Sequence, residues 1–158
     1  MRSSAVKEAA YQQTLQGLQA LLEGETDPVA VMAAAACELY HGIPWIDWIG
    51  FYRLIAPDTL LIGPYQGPRA CLRIPVHRGV CGRAVREKAP QIVGDVTQVP
   101  WHIACSPSTR SEIVIPLFGK GGKILGVLDA DSNEPEAFDQ TDLAFLRQAC
   151  RFLEAPGE

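Results

Sequence analysis

The stretch SEIVIPLFGKGGKILGVLDAD, Ser111–Asp131, decides the fold. Two runs of apolar, largely β-branched residues flank the pair Gly121–Gly122, a pattern that predicts two central strands joined as a hairpin. Asp129 and Asp131 interrupt the second run, and period-two alternation puts both carboxylates on one face with Ala130 opposite. Glu112, which opens the first strand, can join them across adjacent strands. Buried carboxylates are costly without hydrogen bonds or opposite charge. The cluster therefore suggests a cationic ligand such as an ammonium group, with plain exposure at a strand end as the other reading and Arg110 or Arg73 as neutralising partners.

Working outward, WIDWIGFYRL (Trp45–Leu54) is dense in aromatic and β-branched residues and reads as a strand, with a turn at Ala56–Asp58 and a return strand in TLLIG (Thr59–Gly63). Trp48 and Tyr52 share a face of it, with Gly50 leaving room between them. Full extension would separate their Cα atoms by about 13 Å, so one small ligand meets both rings only across a twist or bulge. Helical spacing of Tyr11, Leu15, Leu18 and Leu22, stopped at Gly24, predicts a first helix. Asp27 as cap, Pro28 at the first helical position and a buried stripe of Val29, Met32, Ala36 and Leu39 predict a second. Asp139 caps a last one, with Asp142 at its third position and Leu143, Leu146, Cys150 and Leu153 as its apolar stripe. Between Pro64 and Arg110 the chain reads as irregular, apart from a short helix in Gly79–Lys88 and a short strand in residues 90–94. So long an irregular segment points to a binding or active site. The order predicts an α+β fold: a single domain over residues 1–158, with a central antiparallel sheet and packed helices.

The chain has 158 residues, 47% apolar and 20% charged, within the usual size of one domain. Lysine and arginine total 14 against 18 acidic residues, giving a net charge of -4 and no basic tract, which argues against a nucleic-acid partner. No apolar run approaches the ~18 residues of a membrane span, and the first residues lack the apolar segment of a signal peptide, so a soluble, cytoplasmic protein is expected. The glycines of GKGG lack the strand–loop–helix setting of a phosphate cradle.

The five cysteines are an odd number in a domain large enough not to need disulfide staples. Cys37 and Cys150 fall on predicted helices and read as small buried hydrophobes. Cys71, Cys81 and Cys105 lie in the irregular region, and three uses stay open for them. As redox or nucleophilic thiols they need the thiolate, which Arg110 and local turn amides favour. As metal ligands they need a fourth partner such as His77 or His102, and no two thiols have zinc-knuckle spacing. The third use is inert burial. An aromatic wall, convergent acids and accessible thiols together suit a small amine-bearing sulfur or carbonyl ligand.

These residues fall into segments that resemble the free methionine-(R)-sulfoxide reductases, members of the GAF superfamily: IDWIGFYRL, LLIGPYQGPRAC, RIPVHRGVCG, VPWHIACSPSTRSEIVIPLF and GVLDADS, covering residues 47–139. The resemblance implies reduction of free L-methionine-(R)-sulfoxide, with Cys105 as nucleophile, Cys71 as resolving thiol and Cys81 as an auxiliary or alternative one. It implies substrate contacts from Trp48 and Tyr52 at the methyl-sulfoxide end and from Glu112, Asp129 and Asp131 at the polar end. A cysteine sulfenic acid, a Cys71–Cys105 disulfide, recycling by thioredoxin or a similar dithiol, a homodimer, and no metal, flavin or nucleotide cofactor follow from the same resemblance. Trp101 stands where a small residue is usual, and the Val76–Gly79 turn departs from a short polar one. A non-catalytic GAF small-molecule sensor is the alternative from another class, and a structural zinc protein a third reading.

Overall fold

The computed structural model describes residues 1–154. Helices α1 (Ser4–Leu21) and α2 (Pro28–Gly42) precede strands β1 (Trp48–Ala56), β2 (Thr59–Gln66) and β3 (Arg73–Pro75). Helix α3 (Gly79–Glu87), strands β4 (Gln91–Val93), β5 (Ser111–Phe118) and β6 (Ile124–Ser132), and helix α4 (Gln140–Cys150) complete the order. The strands form one antiparallel sheet in the order β3-β2-β1-β6-β5-β4. The α+β layer arrangement expected from the sequence is thus the one observed.

Alternation divides the sheet into two faces. Ile49 and Phe51 of β1, Ile113, Ile115 and Leu117 of β5, and Leu128 and Ala130 of β6 join one apolar cluster with α1, α2 and α4. Trp48, Tyr52, Val114 and Val127 join a second cluster, with α3 and the irregular segments, on the opposite face. This second face carries the acids. β3 was not anticipated from Arg73–Pro75: three residues are too few for alternation to register, and the strand exists because β2 extends to Gln66 and offers it an edge.

Local signals set the helices. Asp27 accepts from the Ala30 amide at 2.9 Å with Pro28 at the first helical position, and Asp139 and Asp142 form a reciprocal capping box. The buried face of α2 is Val31, Met32, Ala35, Ala36 and Leu39, whereas Val29 is 60% exposed. Val29 ends an exposed run that starts at Glu23, so the stripe expected from the sequence begins one turn later. Cys37 is likewise only half-buried, its Sγ 3.7 Å from His41 Nδ1, and stays outside the core; Cys150 is buried as expected.

One buried ion pair locks α1 to α4. Lys7 Nζ donates to Asp142 Oδ2, to Asp139 Oδ2 at 3.0 Å and to the Ala137 carbonyl at 2.8 Å. Asp142 also accepts from Tyr11 Oη and Trp45 Nε1, each at 2.8 Å, and from the Asp139 amide at 2.8 Å. Trp45 precedes β1 instead of opening it, because its indole is engaged here in the helical layer. Lys7 and Asp142 are 1% and 0% exposed, so removing Asp142 takes a carboxylate from the buried ammonium and the acceptor from Tyr11 and Trp45 where water cannot replace it. Asp142→Ala should cost about 3–5 kcal/mol of unfolding free energy by urea denaturation. A loss below about 1 kcal/mol, the range of exposed pairs, would contradict this lock.

Candidate active site

The ends of three central strands build the floor of the pocket. Cross-strand register sets Trp48 opposite Asp131 and Asp131 opposite Glu112, and in the next row Gly50 opposite Asp129 and Asp129 opposite Val114. Since Glu112, Asp129 and Asp131 all point to the face away from α1, α2 and α4, the pleat converges them. Gly50 is required in this row, because a Cβ there would lie 2.6 Å from Trp48 Cη2 and 2.4 Å from Tyr65 Cβ. A register shift between Gly50 and Tyr52 supplies the bulge the sequence called for, and the Trp48 and Tyr52 rings stack with centroids 6.1 Å apart. α3 places Cys81 beside the acids: Cys81, Glu112 and Asp129 each offer a ligand-type atom within 4.8 Å of the other two.

Two irregular segments form the rim. The β2–β3 connection brings Arg69, Ala70 and Cys71, and the β4–β5 connection brings His102, Ile103 and Cys105. A disulfide joins Cys71 to Cys105, with Cα atoms 5.4 Å apart. The cavity beneath encloses about 510 Å³ including its open mouth, and Trp48, Tyr52, Cys81, Cys105, Glu112, Asp129 and Asp131 line it together. The aromatic wall also holds the rim: Trp48 Nε1 donates to the Pro68 carbonyl and Tyr52 Oη to the Cys71 carbonyl, both at 2.9 Å.

Among the described residues no lysine or arginine pairs with these acids. Glu112 and Asp129 are 5% and 6% exposed, and Glu112 Oε2 and Asp129 Oδ1 have no hydrogen-bond partner among the described residues. Burial, then the charge of Asp131, pushes the Glu112 carboxyl up to about 8; burial pushes Asp129 and Asp131 well above the ordinary carboxylate range. His102 Nε2 approaches Glu112 Oε2 to 3.4 Å without hydrogen-bond alignment, and burial lowers the imidazole's proton affinity, so the two meet as neutral groups. Burial, with the charges of Asp129 and Glu112, raises the Cys81 thiol well above its usual value.

Residues 25–153 match the GAF domain family. The free methionine-R-sulfoxide reductase of Escherichia coli is 47% identical over 85% of this chain and 81% of its own length. That of Saccharomyces cerevisiae is 38% identical over 96% of this chain and 87% of its own length. The crystal structure of the Neisseria meningitidis reductase with its substrate superposes with a TM-score of 0.85 at 44% identity, covering 91% of this chain and 86% of that one. The chain belongs to the free methionine-R-sulfoxide reductase family of GAF domains.

Within this reductase-family site, several sequence expectations change. Arg110 does not serve the cysteines or Glu112: its Nη2 donates to Asp95 Oδ2 at 3.3 Å, pinning the base of the β4–β5 segment. Arg73 is exposed on β3, on the far side of the sheet order from β5, and His77 is exposed and does not line the pocket. Arg69, Ile103 and Thr109 line the pocket without having been singled out; only their position within the long irregular segment marked them. The two departures in the sequence both bear on the β4–β5 segment, the lid of the pocket. Trp101 lies over the Arg83 guanidinium at 4.8 Å, and Arg83 is held by Glu87 at 2.7 Å, so the lid rests on α3. Gly79, at φ +79°, lies under Ile103, where a Cβ would come within 2.7 Å of its Cδ1.

The raised carboxyls set a sign for stability. In the unfolded chain Glu112 ionises near 4.5, but in the fold it keeps its proton to about 8, so its contribution to stability is present at low pH and is lost as pH rises through that window. The unliganded protein should therefore lose stability from near pH 5 to about 8 by thermal melting, and Glu112→Gln should flatten the decline. An identical slope in the variant would contradict the assignment.

Proposed function

We propose that the chain reduces free L-methionine-(R)-sulfoxide, with Cys105 as the attacking thiolate and Cys71 as the resolving thiol. The observation that carries the reading is the division among the three cysteines, Cys81 and Cys105 lining the pocket and Cys71 bonded to Cys105. Cys71 and Cys105 are half-buried and bonded to each other, while Cys81 is 3% exposed and pressed against acids that disfavour its thiolate. The relatives' stated activity and the substrate held by the Neisseria meningitidis protein support the substrate class.

In the first step the Cys105 sulfur attacks the sulfoxide sulfur, and oxygen passes to it. Cys105 thiol plus sulfoxide becomes Cys105 sulfenic acid plus methionine. Glu112, protonated at neutral pH, is placed to supply a proton to the sulfoxide oxygen, while Asp129 and Asp131 receive the ammonium group. Trp48 and Tyr52 flank the methyl-sulfoxide end. In the second step the Cys71 thiol condenses with the sulfenic acid, giving the disulfide and water. A dithiol such as thioredoxin then restores both thiols by exchange. The resemblance extends the proposal to a homodimer in the cytoplasm.

The test offers racemic free methionine sulfoxide with a dithiol and follows each diastereomer by chromatography. Loss of the R form alone is expected; loss of both or of neither would overturn the reading, the latter favouring a ligand sensor. Cys105→Ser should form no methionine even in one turnover, since a hydroxyl is far less nucleophilic than a thiolate. A normal first turnover from that variant would move the nucleophile to Cys81.

Because Glu112 must carry its proton to donate it, kcat/KM, which reports the free enzyme, should fall on the alkaline side with a midpoint near 8 in the wild type. Glu112→Gln should lower kcat by about 10²–10⁴-fold and remove that limb. An unchanged alkaline limb in the variant would reject Glu112 as the donor.

A further inference from the structure

The proposed reaction leaves a buried thiol in the pocket itself with no step of its own. Cys81 lies at the pocket floor, and its Sγ, a Glu112 oxygen and an Asp129 oxygen fall within 4.8 Å of one another. Two carboxylate oxygens of this group, Glu112 Oε2 and Asp129 Oδ1, are buried and unpartnered among the described residues. An ammonium group can satisfy the carboxylates, but it gives the thiol nothing. A thiophilic dication satisfies both.

We propose that Cys81, Glu112 and Asp129 form a binding site for one divalent transition-metal ion, with Zn²⁺ the best match. A thiolate with two carboxylates excludes the hard cations Mg²⁺ and Ca²⁺, which take oxygen ligands at higher coordination number. Zinc binds sulfur at about 2.3 Å and carboxylate oxygen at about 2.0–2.2 Å, so its ligand atoms sit ~3.5 Å apart in a tetrahedron. The observed cluster, within 4.8 Å, needs only a small contraction. His102 stands on the Glu112 side, its Nε2 3.4 Å from Glu112 Oε2, and offers a neutral imidazole for a fourth position. Binding converts the Cys81 thiol to a thiolate and releases its proton and any carboxyl protons to solvent; no electron moves. The ion occupies the acids that a cationic substrate needs, so a filled site blocks turnover. That consequence rests on the proposed function, whereas the binding itself does not.

The binding test uses oxidised protein, in which the Cys71–Cys105 disulfide removes two competing thiols and no turnover occurs. A Cys37→Ser background removes the surface pair Cys37–His41, whose 3.7 Å spacing makes it a competing sulfur–nitrogen site. Titration with Co²⁺ should give a thiolate-to-cobalt charge-transfer band saturating at one equivalent and reversed by Zn²⁺. Cys81→Ser should abolish the band, and Asp129→Asn should weaken cobalt binding at least tenfold. Absence of the band in the Cys37→Ser protein, or its survival in Cys81→Ser, would overturn the site. Should Cys81→Ser fail to fold, zinc-edge X-ray absorption of the zinc-loaded Cys37→Ser protein decides: one sulfur among nitrogen and oxygen neighbours supports the site, and none or several reject it. In pre-reduced protein, first-turnover methionine should fall on adding one equivalent of Zn²⁺ and return with a chelator. Full first-turnover yield with the site occupied would overturn the inhibitory consequence.

Discussion

Everything on the site face of the sheet depends on carboxyl groups brought together without a fixed cation. The helical face meets the same difficulty in the opposite way, giving Asp142 a lysine, a tyrosine, an indole and a backbone amide. Among the described residues Glu112 and Asp129 have no such cationic partner: the imidazole beside Glu112 is neutral, and Glu112 Oε2 and Asp129 Oδ1 are buried without a hydrogen bond. Their burial is tolerable only while they hold protons or a cationic guest. The floor thus favours positively charged groups and stores a proton at neutral pH. Both properties suit an amino-acid substrate whose oxygen must be protonated as it is transferred.

The same constraint sorts the thiols. Burial among the carboxyl groups disfavours ionisation of Cys81, whereas Cys105 lies on the half-buried rim, bonded to Cys71. Rim and floor are joined mechanically by the aromatic wall. Tyr52 reaches from β1 to the Cys71 carbonyl and Trp48 to that of Pro68, so the strand paired with the acid-bearing β6 also sets the height of Cys71 above the cavity. The Trp101–Arg83 contact rests the β4–β5 segment on α3, the helix that carries Cys81.

What could be read from the sequence follows from how local each signal is. Alternation in SEIVIPLF and ILGVLDADS fixes which residues share a face, so the acids' convergence was legible, and caps at Asp27 and Asp139 marked two helix starts within a residue. Segment motifs carried the family and the proposed cysteine pair through resemblance alone. What escaped depends on distant packing. The Lys7–Asp142 pair spans 135 residues, the partner of Arg110 proved to be Asp95 and not a site residue, and Val29 was misplaced because the turn around it stays outside the core. Trp45 has the composition of a strand residue, yet its indole proton found Asp142.

The central claim is that buried carboxyls in the empty pocket are protonated at neutral pH, and infrared spectroscopy of the unliganded protein tests it most directly. A protonated-carboxyl carbonyl stretch should be present at pH 7, titrate away with a midpoint near 8, and lose its Glu112 component in Glu112→Gln. Absence of any such band at pH 7, or a midpoint at the ordinary value near 4.5, would contradict the account.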